Sequence, residues 1–290
     1  MSNVRVLLAG ATGYLGRFIA KKLLEEGYPT DLIVRDKKTC LFDPLAFAIH
    51  EAQVTNRDSL FEVFKDIDVV ISTVGITKQK DGLTYNDVDY QANVNLIDEA
   101  KKKGVKKFIY ISVFNGQLLR HLKICEAKEK LVDYLKGSGL DYCIIRPNGF
   151  FSDMGEFLEM AKSGRVFLFG KKDFKFNPIH GMDLAEVCVR SITSDEKDIE
   201  VGGPNIFTQR EVAELAFKVL SKKVVIISLP DWIRTSLLWL FRTLTPQKIY
   251  GPLEFFLTIM AMDNVCPRFG HHKLETYFKE GLFTSHKKEL

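Results

Sequence analysis

Short apolar runs alternate with longer amphipathic segments through the first half of the chain. The apolar runs predict β-strands at residues 4–9, 31–34, 47–54, 68–73, 108–112 and 142–146. Helical spacing of apolar residues predicts α-helices between them, at residues 14–26, 58–64, 88–103 and 124–136. Strands and helices that alternate in this way are typical of βαβ units, whose parallel sheet is buried on both faces. The pattern therefore predicts an α/β fold with a doubly wound parallel sheet over residues 1–150.

The rhythm becomes irregular after Pro147. Helical patterns occur at residues 151–162, 182–192, 208–220, 232–241 and 252–262, and a short strand is predicted at residues 199–201. Thr208 followed by Glu211 predicts a capping box at one helix start. Phenylalanines at alternate positions predict a core hairpin over residues 166–176, and the helix at 232–241 is expected to join the core or cover a pocket. We expect a smaller lobe over residues 151–290, with elements at about 178–203 returning to the sheet.

The composition indicates an ordinary globular protein and excludes some classes of partner, but it does not identify a ligand. The 290 residues are 46% hydrophobic and 27% charged, as in an ordinary globular protein. A formal net charge of +4 is too small to indicate a nucleic-acid partner. The apolar stretch at residues 255–262 is far shorter than the ~20 residues of a spanning helix, so no stable membrane span is expected.

Five cysteines are scattered along the chain without a C-x-x-C spacing. Together with a start that does not resemble a secretory signal, this indicates buried free thiols in a reducing compartment. We expect a cytoplasmic protein, with an organelle stroma as the alternative.

A glycine-rich turn joins the first predicted strand to the first predicted helix. Gly10, Gly13 and Gly16 follow the spacing G-x-x-G-x-x-G. Glycines let the chain turn tightly and let a pyrophosphate approach the amides of the helix N-terminus, which also carries partial positive charge. In this strand–turn–helix context the motif predicts dinucleotide binding in a Rossmann-type domain, with a purely structural turn as the alternative.

The end of the second strand bears on which dinucleotide is bound. Arg35 stands 19 residues after Gly16 and is followed by Asp36, Lys37 and Lys38. A guanidinium with two ammonium groups suits the 2′-phosphate of NADP(H), which favours NADP(H) over NAD(H). In the alternative interpretation, Asp36 binds the ribose hydroxyls of NAD(H).

These motifs make the chain resemble the atypical short-chain dehydrogenase/reductases, in particular the NmrA-like NAD(P)-binding family. The resemblance extends over about residues 4–220 through GATGYLGRFIAKKLLEEGY, DVVISTVG, VDYQANVNLIDEAKKKGVKKFIYISV, AKEKLVDYLKGSGLDYCIIRPNGFF and NPIHGMDLAEVCV. The overall pattern is also similar to the divinyl chlorophyllide 8-vinyl reductases, which share Arg-Pro-x-x-Phe-Phe, Pro-Ile before Asp-Leu-Ala, and a late Gly-Gly-Pro.

The resemblance implies positions for the cofactor-binding residues. The pyrophosphate loop would comprise Gly10, Thr12, Gly13, Tyr14, Leu15 and Gly16, and Arg35 would select NADP. The strand ends would contribute Thr73, Val74 and Gly75 on the adenosine side, and Ser112 and Val113 beside the nicotinamide. The carboxamide would be held near Pro147, Asn148, Gly149 and Phe150.

The chain departs from the family at the acid/base pair. Short-chain dehydrogenases typically use Tyr-x-x-x-Lys, but Ile124 stands four residues before Lys128, and no tyrosine has a lysine at that spacing. Lys128 is therefore a candidate to hold the ribose or polarise a substrate oxygen, unless it is a solvated helix charge. Ser112 is a candidate to hydrogen-bond the reacting carbonyl, unless it is a core or capping hydroxyl. Tyr85 and Asn93 are further candidates for the pocket.

The histidines are expected to have structural rather than catalytic or metal-binding roles. His271 and His272 are adjacent, but no carboxylate or cysteine stands at metal-ligand spacing from them, so no metal site is expected. His180 is expected to be a hydrogen-bonding loop residue rather than a base.

Two functions follow from the sequence. The first is a reductase in which NADPH donates hydride to a carbonyl or activated double bond of a small apolar substrate held by the C-terminal lobe. The second is a non-catalytic NADP(H)-binding redox sensor, which the missing tyrosine motivates. The expected partner is a small molecule, and the chain is expected to be a monomer or a homodimer.

Overall fold

A computed structural model describes residues 4–76, 82–170 and 173–286 of the chain. The strands are β1 (Val6–Ala9), β2 (Thr30–Val34), β3 (Ala48–Glu51), β4 (Val69–Ser72), β5 (Lys107–Ile111), β6 (Asp141–Pro147), β7 (Val166–Phe169), β8 (Lys175–Phe176), β9 (Asp198–Val201), β10 (Phe207–Thr208) and β11 (Ile226–Leu229). The helices are α1 (Tyr14–Glu25), α2 (Ala92–Lys102), α3 (Lys123–Gly137), α4 (Gly155–Lys162), α5 (Gly181–Arg190), α6 (Gln209–Val219), α7 (Asp231–Leu244), α8 (Gln247–Ile259) and α9 (Leu274–His286). The chain divides into two compact units, one of Met1–Arg146 with Leu184–Ile199 and one of Pro147–Asp183 with Glu200–Leu290.

A central sheet of seven strands, in the order β3-β2-β1-β4-β5-β6-β9, organises the first unit. The pairs from β3 to β6 run parallel. All four residues of β1 and of β4 are buried, as expected for strands covered by helices on both faces. The predicted Rossmann-type α/β fold is confirmed. Because parallel strands end at the same edge, the loops after β1, β2, β4 and β5 meet there.

Local differences from the predicted elements have identifiable causes. Residues 58–64 form only a short 3₁₀ turn, Arg57–Leu60, which the Asn56 side chain caps. The helix predicted at 88–103 starts earlier, with a π-helical turn at Asn86–Gln91 before α2. The fully buried Asn93 stabilises this wider turn, since its amide nitrogen donates to the carbonyls of Val88 and Asp89, 3.2 and 3.1 Å away.

The second unit contains the clearest error of the sequence analysis. The hairpin predicted over 166–176 does not form, because β7 pairs in parallel with β11 and β8 pairs antiparallel with β10. Both partners lie much later in the chain, where local alternation cannot reveal them. The capping box at Thr208 and Glu211 is confirmed at the start of α6.

The core of the second unit is built from aromatic and aliphatic side chains, including Phe151, Phe157, Phe217 and Phe278. Of the two alternatives for residues 232–241, the core alternative does not fit Trp232 and Trp239 of α7, which are both 67% exposed, and the pocket-covering alternative stays a prediction. Among the helices the structure describes, none is both long and apolar enough to cross a bilayer.

Candidate functional site

The glycine turn lies between β1 and α1 in the first unit. Gly10 has a φ of +84°, a conformation that only glycine adopts readily. A Cβ on Gly16 would collide with the carbonyl oxygen of Gly10 and the backbone of Ala11, so the helix approaches the turn more closely than any side chain allows. The N-cap position of α1 is Gly13, which has no side chain to cap the helix, and the first turn of α1 holds no acidic residue. The helix N-terminus therefore keeps its attraction for an anion.

Thr73 supports this turn from the end of β4. Its hydroxyl lies 3.2 Å from the carbonyl oxygens of both Ala9 and Gly10, and a Cβ on Gly10 would strike it. Val74 follows as a buried residue whose carbonyl accepts a hydrogen bond from Asn93. Thr73 and Val74 thus help to fix the backbone at the end of β4, next to the glycine turn.

A cavity of about 690 Å³ opens beside the turn, within the first unit. It is lined by Thr12, Arg17, Arg35, Asp36, Leu41 and Phe42. Two guanidinium groups make this cavity suitable for phosphate, and Arg17 is held by a 3.0 Å hydrogen bond to the Thr12 carbonyl. Arg35 and Asp36 line the same cavity, so both interpretations of the ribose partner remain geometrically open. Arg17 is a site residue that the sequence did not single out, although its place directly after Gly16 at the start of α1 was a usable signal.

Lys128 reaches a buried carboxylate instead of a tyrosine. Its Nζ lies 3.0 Å from Oδ1 of Asp89, whose side chain is fully buried, while 15% of the Lys128 side chain is exposed. The backbone N–H of Ile76 donates to the other Asp89 oxygen at 3.2 Å. A Cβ on Gly75 would come within 2.6 Å of Asp89 Oδ1, so this glycine leaves room for the pair. The solvated-charge alternative for Lys128 does not describe this environment.

Electrostatics favour a charged Lys128. Burial opposes its charge, but the interactions of the ammonium with Tyr110 and Asp89 outweigh burial and raise the pKa of Lys128 above its ordinary value. The ammonium also lies 5.6 Å from the centre of the Tyr110 ring. Burial raises the pKa of Tyr110 to about 12, so this phenol stays protonated at neutral pH. Asp89 and Tyr110 could not be predicted as partners of Lys128 from the sequence, because no local spacing links either residue to it.

Ser112 belongs to a buried polar network. Its hydroxyl donates to Oε1 of Glu129 at 2.9 Å, and Glu129 also accepts two hydrogen bonds from Arg146, at 2.6 and 3.1 Å. Arg146 in turn pairs with Asp198 at 2.8 Å. The hydroxyl is already used inside the protein, in keeping with the alternative of a core residue. Val113 follows at the edge of this network, with its carbonyl 3.4 Å from the Arg146 guanidinium.

Tyr85 and Asn93 lie inside the first unit rather than on a cavity wall. Tyr85 is 1% exposed and Asn93 is fully buried. The Asn93 side chain accepts from Ser72 and donates to three carbonyls, so its hydrogen-bonding capacity is consumed by the fold.

The residues from Pro147 to Phe150 belong to the second unit. Asn148 uses its side-chain amide there, donating to Asn177 at 2.9 Å and to the Asn264 carbonyl, and accepting from the Gly149 N–H at 2.8 Å. The Phe150 N–H donates to Asp153 at 2.9 Å. This segment is therefore held by hydrogen bonds within its own unit.

The second unit also brings a carboxylate to the histidine pair. Asp183, in the first turn of α5, lies 2.7 Å from Nδ1 of His272 and 3.6 Å from Nδ1 of His271. Sequence spacing shows no carboxylate near these histidines because the partner is remote in the chain. His180 accepts a hydrogen bond from the Met182 N–H at 3.2 Å, as expected for a hydrogen-bonding loop residue, and burial lowers its pKa to about 4.

Comparison with known proteins finds one family that matches more than half of the chain. The family described as NAD(P)H-binding matches residues 10–195. The chain is 26% identical to the photosystem II assembly factor Ycf39 of Guillardia theta, over 78% of this chain and 73% of that protein. It is 27% identical to the chloroplastic divinyl chlorophyllide a 8-vinyl-reductase of Cucumis sativus, over 97% of this chain and 74% of that protein.

Solved structures share the fold at lower identity. The NADPH-dependent quinone oxidoreductase QOR2 of Escherichia coli, solved with NADPH, matches with a TM-score of 0.70 and 16% identity. The match covers 96% of this chain and 99% of that protein. The family match covers more than half of the chain, and the glycine turn at the start of α1 lies within it. The chain therefore belongs to the NAD(P)H-binding family.

Proposed function

We propose that the protein is an NADPH-dependent reductase of the atypical short-chain dehydrogenase type. It would reduce a carbonyl or an activated double bond of a small apolar substrate. The observation that carries the proposal is the uncapped N-terminus of α1, which opens beside a cavity holding two guanidinium groups. When bound there, NADPH supplies a hydride for an electrophilic carbon.

The residues of the first unit fit a dinucleotide. The amides of the turn from Gly10 to Gly16 would bind the pyrophosphate, and Arg35, with Arg17 in the same cavity, would pair with the 2′-phosphate. This charge set supports NADP(H) over NAD(H). The other proposed contacts within the first unit are Thr73, Val74, Gly75, Ser112, Val113 and Lys128. We assign substrate selection to the second unit.

Lys128 is the proposed catalytic residue. Asp89 holds its ammonium at 3.0 Å and keeps it charged, so it can donate hydrogen bonds to ribose hydroxyls or to a substrate oxygen. We propose that this ammonium takes the place of the missing tyrosine as the electrophilic group. Ser112, bound to Glu129, would act by supporting this part of the protein rather than by touching the substrate.

A second candidate is a non-catalytic NADP(H) sensor. It is supported by the absence of Tyr-x-x-x-Lys from the sequence. It also draws on the relative named as a photosystem II assembly factor. In this case Lys128 would fix bound dinucleotide, and occupancy would shift the protein between two conformations with different affinity for a partner.

Oxidation of NADPH in the presence of quinones and enones distinguishes the two. The wild type is compared with Lys128→Ala and with Lys130→Ala, an exposed lysine on the same helix that lies over the Tyr90 ring. The reductase predicts turnover that falls at least tenfold in Lys128→Ala and stays within twofold in Lys130→Ala. A background rate that is identical in all three proteins contradicts the reductase and favours the sensor.

A further inference from the structure

A second cluster of chemistry-bearing side chains lies in the second unit, outside the proposed dinucleotide site. Asp183, His271 and His272 each offer one ligand atom, and these atoms all lie within 4.8 Å of one another. Asp183 Oδ1 is 2.7 Å from Nδ1 of His272 and 3.6 Å from Nδ1 of His271. Two imidazoles and one carboxylate are donors that Zn²⁺ accepts in proteins.

The spacing of these atoms suits a small divalent ion. Zn²⁺ binds nitrogen and carboxylate oxygen at about 2.0–2.2 Å, so neighbouring ligands of a tetrahedral site lie roughly 3.3–3.5 Å apart. The observed separations of 2.7 and 3.6 Å lie on either side of this range. His271 is 80% exposed at its side chain, so its ring can adjust without disturbing the core.

Asp183 lacks the usual partner of a buried carboxylate. Its side chain is 1% exposed, and among the described residues no lysine or arginine forms an ion pair with it. Its hydrogen bonds come from the backbone N–H and the ring of His272, at 3.2 and 2.7 Å. A buried carboxylate is costly unless a positive charge compensates it, and a bound divalent cation supplies that charge.

The surroundings hold the three groups in place. Gly270 has a φ of +85°, and a Cβ there would collide with the Asp183 carboxylate, so glycine lets the chain before the histidines reach the acid. His180 stacks on His272, with ring centres 4.3 Å apart and planes 21° from parallel. The Met182 N–H fixes the His180 ring at 3.2 Å. Orientation of ligands by neighbouring groups is a regular property of metal sites.

We infer that Asp183, His271 and His272 bind one Zn²⁺ ion, with a fourth position left for water. The ion would fasten the segment that precedes α9 to the first turn of α5. Its ligands all belong to the second unit, so the inference does not depend on dinucleotide binding.

Calorimetric titration of the chelator-treated full chain with Zn²⁺ tests the site. The variants are His271→Ala, which removes an exposed ligand and is expected to fold, and His121→Ala, an exposed histidine of the first unit as the matched control. Thermal unfolding without metal checks that both variants are folded. The expected result is one Zn²⁺ per chain in the wild type and in His121→Ala, and at least tenfold weaker binding in His271→Ala.

A spectroscopic measurement on the same proteins identifies the ligands. Co²⁺ in the wild type should show the intense visible absorption of a four-coordinate site, and His271→Ala should lose it. No stoichiometric Zn²⁺ binding by the wild type, or equal affinity in His271→Ala, overturns the inference.

Discussion

At the scale of single residues, the pairing of Lys128 with Asp89 is the feature that most constrains the chemistry. Asp89 is fully buried and the Lys128 side chain is 15% exposed, and breaking such a pair leaves a charge without full compensation. The Asp89 carboxylate thus compensates for the hydration that the Lys128 ammonium loses on burial, and it keeps the ammonium charged inside the protein.

Replacement of Asp89 by Asn is predicted to make NADPH binding depend on pH. Without the carboxylate, burial lowers the pKa of Lys128, so the ammonium is lost as pH rises through the range in which the wild type keeps it. NADPH affinity, followed by fluorescence between pH 7 and 9.5, should stay nearly constant in the wild type and weaken severalfold with rising pH in Asp89→Asn. The exposed change Glu126→Gln on α3 serves as the control. Parallel pH profiles in all three proteins would contradict the role given to Asp89.

At the scale of elements, the β1–α1 turn and the start of α1 pack so closely that no side chain fits at Gly10 or Gly16. Gly16 packs on the Gly10 carbonyl, and Gly10 packs on Thr73. A side chain at either glycine would therefore collide with its neighbour. The conformation that exposes the amides of the helix N-terminus is therefore the one that packs the helix on the sheet.

The change Gly16→Ala tests this coupling. The added methyl group must push α1 away from the turn, which is expected to cost about 1–3 kcal/mol of unfolding free energy and to weaken NADPH binding at least tenfold. The control is Gly137→Ala at the end of α3, where a Cβ would meet nothing within 4 Å. Denaturant unfolding and fluorescence titration measure the two effects. Wild-type affinity in Gly16→Ala would show that the turn does not position the dinucleotide.

At the scale of the whole molecule, the cysteines are part of the packing of both units. Cys125, Cys143, Cys188 and Cys266 are buried as free thiols, as predicted, whereas Cys40 is partly exposed. Burial raises the pKa of Cys125 and of Cys266 to about 12 and that of Cys143 to about 11. The folded protein therefore keeps these protons at a pH where the unfolded chain releases them.

Stability is consequently predicted to fall at alkaline pH. An unfolded thiol titrates near pH 9 and the folded thiols titrate above it, so the unfolded state binds fewer protons and the unfolding free energy declines from about pH 9 upward. Each such group contributes up to about 1.4 kcal/mol per pH unit. Denaturant unfolding between pH 7 and 10.5 should show a shallower decline in Cys125→Ala and an unchanged one in Cys40→Ser. A stability that is flat across this range would contradict the burial of the thiols.

Features set by neighbouring residues could be predicted from the sequence, and features set by the packing of distant elements could not. The glycine turn, α1 and the capping box of α6 were predictable because each signal lies within a few neighbouring residues. Asp89 beside Lys128, Glu129 on Ser112 and Asp183 beside His272 were not, because each pair forms only when distant elements pack. The failed hairpin over residues 166–176 has the same origin, since β7 and β8 pair with strands much later in the chain.

We propose that the cavity beside the glycine turn binds NADP(H). The most direct test is fluorescence titration of the wild type and of Arg35→Ala with NADPH and with NADH. The account predicts tight NADPH binding in the wild type, and a loss of roughly 10–100-fold in Arg35→Ala that brings NADPH close to NADH. Equal affinity for both nucleotides in the wild type would contradict the role of Arg35, and no binding of either would contradict the site itself.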